Sequence, residues 1–406
     1  MSIVNLIVKY LFHNFINTLR HYKASSLLNI FGMAVAFAAF YVILTQVRWG
    51  MTYNQGLPDG ERIFVISHPN PTQDGGRNLY FARPMAEEIC TSISGVEAFG
   101  TTTFATEVDE AFYYFKDGDN VRKFSTIEQK ASPSVIDVFG FEAESGSFDD
   151  MSRTGAVALS SRFAHSHDLK VGDYLSFNPA GEPIHCFVVA IWKDKYPKKS
   201  SPGSIDLIHS YGDQYIDSWK ESSFPYFVKL SSADGKKAFE QAANDFQRRW
   251  LTDNFNGITP EKIEENMALM NVSLIPLEEL YYREDINAKR PVCRSGNRTT
   301  DMSLLVVAIL IIVIALINFV NFFFALVPAR VKSVNTYKVF GTPRASIVLN
   351  FILESVGMVV LALVLAAVMV RALDKLLMTD ILAADAGPLN HARLVNELFD
   401  NNINVH

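Results

Sequence analysis

The side chains best suited to chemistry in this chain of 406 residues stand in a few small groups. His165-Ser166-His167-Asp168 is the most metal-like of them. Two imidazoles two residues apart share one face of a strand and can hold one ion, whereas a helix turns them away from each other. Gly235-Lys236 has the start of a phosphate cradle, but Lys237 stands where a hydroxyl is needed and the upstream glycine is missing. Serines, histidines and carboxylates elsewhere follow no nucleophile-elbow or triad-supporting pattern. Cys90, Cys186 and Cys293 are widely spaced without a Cys-x-x-Cys. Their odd number argues against a disulfide framework and leaves room for one bridge at most. These groups give no catalytic, metal or cofactor site, and the chain reads as non-catalytic. Glu354 differs in kind. It is a carboxylate inside a long apolar run, where charge is costly unless paired, and such residues are functional candidates by default. The bland alternative is a purely structural hydrogen bond.

The elements that must position these groups are dominated by apolar runs. Residues 303–327 contain no charge and are long enough to cross a hydrocarbon core as a helix. Residues 345–370 are similar, with Glu354 as their single charge. Between them, 328–344 holds Arg330, Lys332, Lys338 and Arg344 with no acidic residue, so the positive-inside bias puts this tip in the cytoplasm. A third run, 27–47, is also uncharged. Its basic flank is too long for a signal peptide, and Arg48-Trp49 follow in place of a cleavage site, so it reads as a retained span. Gly32, Ala36 and Ala39, with Ala34 and Ala38, either form a face for close helix approach or are only permissive helix formers. Residues 3–22 set Ile3, Ile7, Tyr10, Leu11 and Leu19 against Lys9, His13, Arg20 and His21. That is an amphipathic helix lying in the inner interface, or an ordinary cytosolic one.

Half the chain is hydrophobic (49%), which fits a few spans beside one large water-soluble domain. The net charge of −6 hides an asymmetry: the first 26 residues and the tip are purely basic, and the remainder is strongly acidic. This layout excludes a nucleic-acid binder and suits an inner-membrane protein with a large external domain. Between the first two spans the pattern turns to short strands and isolated helices. Strands are expected at 61–66, 155–160, 174–177, 185–191, 224–230 and 272–275, with a hairpin of 112–115 and 121–127. Helices are expected at 84–93 and 234–250, the latter facing a core with Phe239, Ala243, Phe246 and Trp250. About 250 residues of this mixture make an α+β domain able to bury its own core. Tyr281-Tyr282 with Arg283-Glu284-Asp285 reads as an interfacial linker before the second span.

The tip carries a resemblance. Arg330, Lys332, Lys338 and Gly341, followed by Phe351, Glu354 and Ser355, are similar to the R-x-K-E-I-G-I-R-K-A-L-G-A and F-x-x-E-S signature of FtsX/MacB-like ABC-transporter permeases. Ile317-Asn318-Phe319-Val320-Asn321 also resembles that family. Ser333, Thr336-Tyr337 and Thr342 depart from the pattern and bear on the strength of ATPase coupling. Upstream, Tyr53 and Arg62-Ile63-Phe64, the 134–141 stretch with Gly146, and Val157-Ala158-Leu159-Ser160 before Val171-Gly172-Asp173 resemble landmarks of a MacB-like periplasmic core domain.

The resemblance implies a membrane protein of α-helical spans with an α+β extracytoplasmic domain. Expected limits are an interfacial helix at 1–26, spans at 27–48, 302–327 and 347–371, and the periplasmic domain at 49–301 with an inserted lobe near 133–215. A cytoplasmic coupling segment takes 328–346, and 372–406 is an external tail, the chain being expected to stop before a fourth span. Such a permease sits multi-pass in the bacterial inner membrane. It transmits the ATP-driven movement of a separate ATPase subunit to its periplasmic domain, for export or extraction of peptide, lipoprotein or drug-like substrates. The resemblance implies a homodimer or pseudo-dimer, contact with membrane lipid, and a periplasmic adaptor or a peptide or lipoprotein substrate as further partners. It also places His165-Ser166-His167-Asp168 on a short surface helix, as a solvated polar patch. Arg330, Lys332, Lys338, Gly341 and Arg344 become the ATPase-coupling residues. Asn318, Asn321, Glu354 and Ser355 become the intramembrane polar set, with the tip's basic residues or Asn318 and Asn321 as partners for Glu354. The rival reading is a membrane-anchored extracytoplasmic sensor without transport activity.

Overall fold

A computed structural model describes residues 23–72, 75–103, 110–117, 120–177, 184–196, 200–210, 212, 216–220, 222–286, 296–341 and 343–377. The interfacial helix of 3–22 with His13 and His21, Cys293, Thr342 and the tail beyond 377 lie outside them. The chain divides into two compact units, 52–297 and the two flanks, and each is taken by itself.

The 52–297 unit opens with β1 (Ile63–Pro69), β2 (Arg77–Asn78), β3 (Tyr80–Ala82), α2 (Arg83–Ser92) and β4 (Val96–Thr103). It ends with β12 (Ser222–Leu230), α5 (Lys236–Asn254), α6 (Pro260–Met270), β13 (Ser273–Pro276) and α7 (Leu277–Leu280). β4, β12, β1 and β13 lie side by side as an antiparallel sheet. β1 is apolar on both faces because both are covered. Alternation sends Ile63 and Val65 into one core and Phe64 and Ile66 into another, the latter shared with Met85, Ile89 and Phe239 of the two helices. The strand starts at Ile63, since Glu61 and Arg62 belong to a 3₁₀ turn. Arg62 is drawn out of strand geometry by ion pairs to Asp59 (2.8 Å) and Glu97 (2.6 Å), and Lys229 Nζ bridges the same two carboxylates at 2.9 and 3.1 Å. Hydrogen bonds from Arg62 and Lys229 hold both carboxyls below their ordinary range. On α5 the fully buried row is Phe239, Ala243, Gln247 and Leu251, a strict four-residue repeat, and Phe246 and Trp250 sit at its margin.

Between β4 and β12 the chain makes β5 (Glu110–Asp117), β6 (Asn120–Ala131), α3 (Val135–Phe139), β7 (Ala143–Gly146), β8 (Ala156–Ser160), α4 (Ser161–Ser166), β9 (Tyr174–Phe177), β10 (Ile184–Trp192) and β11 (Leu207–Ser210). The expected hairpin is β5–β6, in register from Glu110↔Ile127 to Asp117↔Asn120. β5 also pairs with β9, and β11 pairs with both β8 and β6, so the path β6-β5-β9-β10-β8-β11 returns to β6. The hairpin therefore belongs with the inserted strands, upstream of the 133 expected for their start. Its aromatic face explains this: Tyr113 and Phe124 pack with Phe163, Leu175 and Val188 in the core inside that ring.

In the flanking unit, α1 (Lys23–Met51), α8 (Arg298–Val339) and α9 (Arg344–Leu377) are long and apolar enough to cross a membrane. α1 packs against both others. Met33, Ala34 and Ala38 of α1 meet Met358, Ala362, Ala366 and Val370 of α9, and the alanines, at four-residue spacing on each helix, let the two approach closely. Gly32 is not on that face; it looks into open space.

One glycine tests the inserted strands. Gly146 adopts φ +77°, and a Cβ there would overlap the backbone of Val189 and Ala190 on the paired strand. Gly172 has φ +94° with nothing within 4 Å. Gly146→Ala should lower unfolding stability by about 3 kcal/mol and Gly172→Ala by about 1 kcal/mol. Thermal unfolding of the detergent-solubilised chain measures both, and equal losses would remove the close approach.

Candidate functional site

The basic tip is helical for most of its length. Pro328 was expected to end the second span, but α8 runs through it to Val339. Proline removes one amide donor and bends a helix without obliging it to stop, and no further breaker occurs before Gly341. Arg330 and Lys332 therefore lie on the helical backbone, and their side chains fall outside the described set. Lys338 is exposed on the last turn. There the Phe340 amide donates to Thr336 O (3.2 Å) and the Gly341 amide to Lys338 O (3.0 Å). Gly341 takes φ +75°, the left-handed conformation that reverses a chain after a helix. Pro343 and Arg344 then start α9, with the Ser346 amide donating to Pro343 O (3.1 Å). Lys338, Gly341 and Arg344 thus sit exposed within one tight turn.

The residues expected as the intramembrane polar set are divided between α8 and α9. Ser355 Oγ donates to Phe351 O at 2.7 Å, within its own helix. Asn318 and Asn321 are exposed on α8, and Glu354 is half-buried on α9 and engaged in an interaction. Measured along the helices at 1.5 Å per residue, Glu354 lies about 15 Å from Arg344 and Asn321 about 27 Å from Val339. A residue on α8 at Glu354's distance from the turn is Arg330, not either asparagine. Continuation of the helix past Pro328 creates this offset, and a sequence reading that ended the span there had no way to see it.

The other sequence candidates separate. His165 is exposed, its Nδ1 2.7 Å from Ser161 O on α4. His167 lies past the helix end, its ring 4.5 Å from that of Phe163 and 5.0 Å from that of Phe124; burial and then Arg122 push its imidazole pKa down. Among the described residues no three His, Cys, Asp or Glu side chains converge as metal ligands. Cys90 and Cys186 are buried free thiols, and burial pushes Cys90 up. Tyr281 is buried, with its ring stacked 4.5 Å from that of Tyr53. Arg283 is held by Asp285 through two 2.7 Å bonds. Tyr53 and Tyr281 are 228 positions apart, so their contact leaves no local sequence signal.

The family model for a MacB-like periplasmic core domain matches residues 26–246, and that for an FtsX-like permease C-terminal region matches 305–403. Among solved structures, a domain assigned to a permease protein of Porphyromonas gingivalis is similar at 17% identity and a TM-score of 0.42, over 61% of this chain and 99% of that one. The extracellular domain of the noncanonic ABC-type transporter YknZ from Gram-positive bacteria is similar at 13% identity and a TM-score of 0.32, over 52% and 99%. No curated protein sequence matches the chain.

Gly341 offers a direct check of the turn. Nothing lies within 4 Å of a Cβ there, so Gly341→Ala should cost only the conformational strain, about 1 kcal/mol, and Gly341→Asn less. Thermal unfolding measures the pair; a loss well above that figure in Ala would mean the turn is packed against something.

Proposed function

This chain belongs to the MacB/FtsX-type family of ABC-transporter permeases, and from that premise we propose that it is the non-catalytic membrane subunit on which a separate ATPase docks. The observation that supports this is the acid-free segment from Arg330 to Arg344. It is a helix carried past the apolar run, closed by a left-handed glycine, with Lys338 and Arg344 exposed at its end. A rigid element with exposed cations suits a protein contact better than a slack loop does, because less conformational freedom is lost on binding. In this reading Arg330, Lys332, Lys338, Gly341 and Arg344 meet the ATPase. α1, α8 and α9 cross the bacterial inner membrane with the turn inside, and the 52–297 domain stands in the periplasm. A dimer of the chain works on peptide, lipoprotein or drug-like substrates, with or without a periplasmic adaptor. The same cations would also bind anionic headgroups, so the test must separate docking from lipid attraction.

The paired charge reversals Lys332→Glu and Lys338→Glu should cut co-purification of the ATP-binding subunit at least tenfold while the chain still inserts in the membrane. Unchanged recovery would remove the docking role. Failure of the parent chain to recover any ATP-binding subunit would favour a membrane sensor.

Glu354 is proposed to anchor the inner part of the third span through a basic partner, for which the level of Arg330 is the nearest candidate on α8. Leaving a buried charged partner unmatched costs about 1–3 kcal/mol, equivalent to roughly 5- to 150-fold in a conformational equilibrium. Glu354→Gln and Glu354→Ala should therefore both depress the coupled ATP turnover of the full transporter at matched expression. Parent-like turnover and transport in both variants would leave Glu354 with no part in coupling.

A further inference from the structure

Arg77, on β2, carries a guanidinium that the domain holds in place without neutralising. The residue is half-buried, its amide donates to Asp285 O at 2.5 Å, and it forms a parallel bridge with Ile286. Its side chain lies against β1 and β13. Nε donates to Ser67 Oγ at 3.2 Å. Nη2 donates to Ser67 O and Ser67 Oγ, both at 3.0 Å, and to Ser273 Oγ. Ser67 is fully buried and its hydroxyl donates to Ser273 O at 2.9 Å, so this edge of the guanidinium is fixed to two paired strands. Nη1 donates to no atom of the described residues.

Every partner of the Arg77 side chain is therefore an uncharged oxygen. Among the described residues no carboxylate lies within ion-pair distance of it. The other buried or half-buried arginines of this domain are compensated. Arg62, Arg83, Arg162 and Arg283 each pair with a carboxylate, and Arg122 lies 4.9 Å over the Phe115 ring. The acids nearest in charge to Arg77 are already engaged: Asp285 by Arg283, and Glu240 by the Leu274 amide at 2.8 Å. Burial, and then the charge of Arg283, push the Arg77 pKa down, and Asp285 and Glu240 offset this only in part. A charge drawn partly out of water is costly unless a counter-charge accompanies it, and this one has none within the described chain.

We propose that Arg77, braced by Ser67 and Ser273, is the receptor for an oxyanion carried by an external ligand, a carboxylate or phosphate group that docks on Nη1. A guanidinium presents its N–H groups in a rigid plane that suits either oxyanion. Because the Nε and Nη2 edge is already tied down, little side-chain freedom is lost when the anion arrives. The site lies wholly within the 52–297 domain and does not depend on the permease reading.

Equilibrium dialysis of the detergent-solubilised full chain against labelled inorganic phosphate or labelled N-acetylglycine, at constant ionic strength, tests this. The parent should bind at least one of the two saturably, and Arg77→Gln should weaken that binding about tenfold or more. Arg122→Gln removes an arginine elsewhere in the domain and should bind as the parent does. Binding of phosphate alone identifies a phosphate group as the ligand's anion, and binding of N-acetylglycine alone a carboxylate. A second measurement needs no substitution. The bound anion should slow modification of Arg77 by phenylglyoxal, followed by peptide mass spectrometry, and leave the exposed Arg249 unaffected. Binding of neither anion by the parent, equal binding by Arg77→Gln, or modification of Arg77 at the same rate with and without the anion would each overturn the site.

Discussion

The antiparallel pairing of β1 with β13, from Phe64↔Pro276 to Ser67↔Ser273, closes a domain that the chain enters and leaves between two membrane helices. A domain spliced into such a connection has to bring its own ends together, and an antiparallel pair does this with backbone hydrogen bonds alone. The device is used twice. β4 and β12 pair from Val96↔Leu230 to Thr101↔Tyr226, and the inserted strands leave from the end of one and return at the start of the other. Each insertion is thus nested inside a closed pair, and the four-stranded sheet survives the interruption. The ions at Asp59, Arg62, Glu97 and Lys229 sit on this frame, with Lys229 on β12 and Glu97 on β4, so they tie the approach to β1 to both strands of the second closure.

The flanking unit obeys a different constraint. In hydrocarbon each backbone amide must be satisfied within its own segment, which leaves helices as the available form for isolated spans. Association then depends on shape, since lipid is as apolar as leucine. The alanines of α1 and α9 supply that shape, and the large aromatics Phe319, Phe322 and Phe323 of α8 fill the space around them. Polar residues within the runs are few, and the continuation of α8 beyond Pro328 decides which of them stand at comparable distances from the turn. A shift of about twelve residues along a helix is roughly 18 Å, more than half a hydrocarbon thickness.

Legibility in the sequence followed the range of the interactions. Apolar runs, the β5–β6 alternation, the 3.6-residue period of α5 and the glycine at 341 are local signals, and the structure contains a corresponding element for each. The family resemblance rested on side chains within about forty residues of one another. Arg62 looked like the start of a strand because its carboxylate partner Glu97 and the backbone of Leu230 are 35 and 168 positions away. The burial of Tyr281 has no local signal because the ring stacked on it belongs to Tyr53. The hairpin's allegiance to the inserted strands depends on β9 and β11, and no periodicity in 110–131 names them. Pro328 misled in the opposite way: a strong local breaker was overridden by the helix formers on either side.

The polar groups of the two units differ in kind. Beyond the end of α8 Lys338, Gly341 and Arg344 are exposed, in a turn held by two backbone bonds to α8. Within the 52–297 unit Tyr53 and Asn54 are buried; the Tyr53 ring stacks on Tyr281, and Asn54 bonds to Leu277 O and the Ser201 amide, all more than a hundred positions distant. Exposed charges keep their hydration until a partner arrives, and such contacts are modest in strength and reversible. Buried hydrogen bonds and stacked rings are expensive to open because the groups released have no water to turn to.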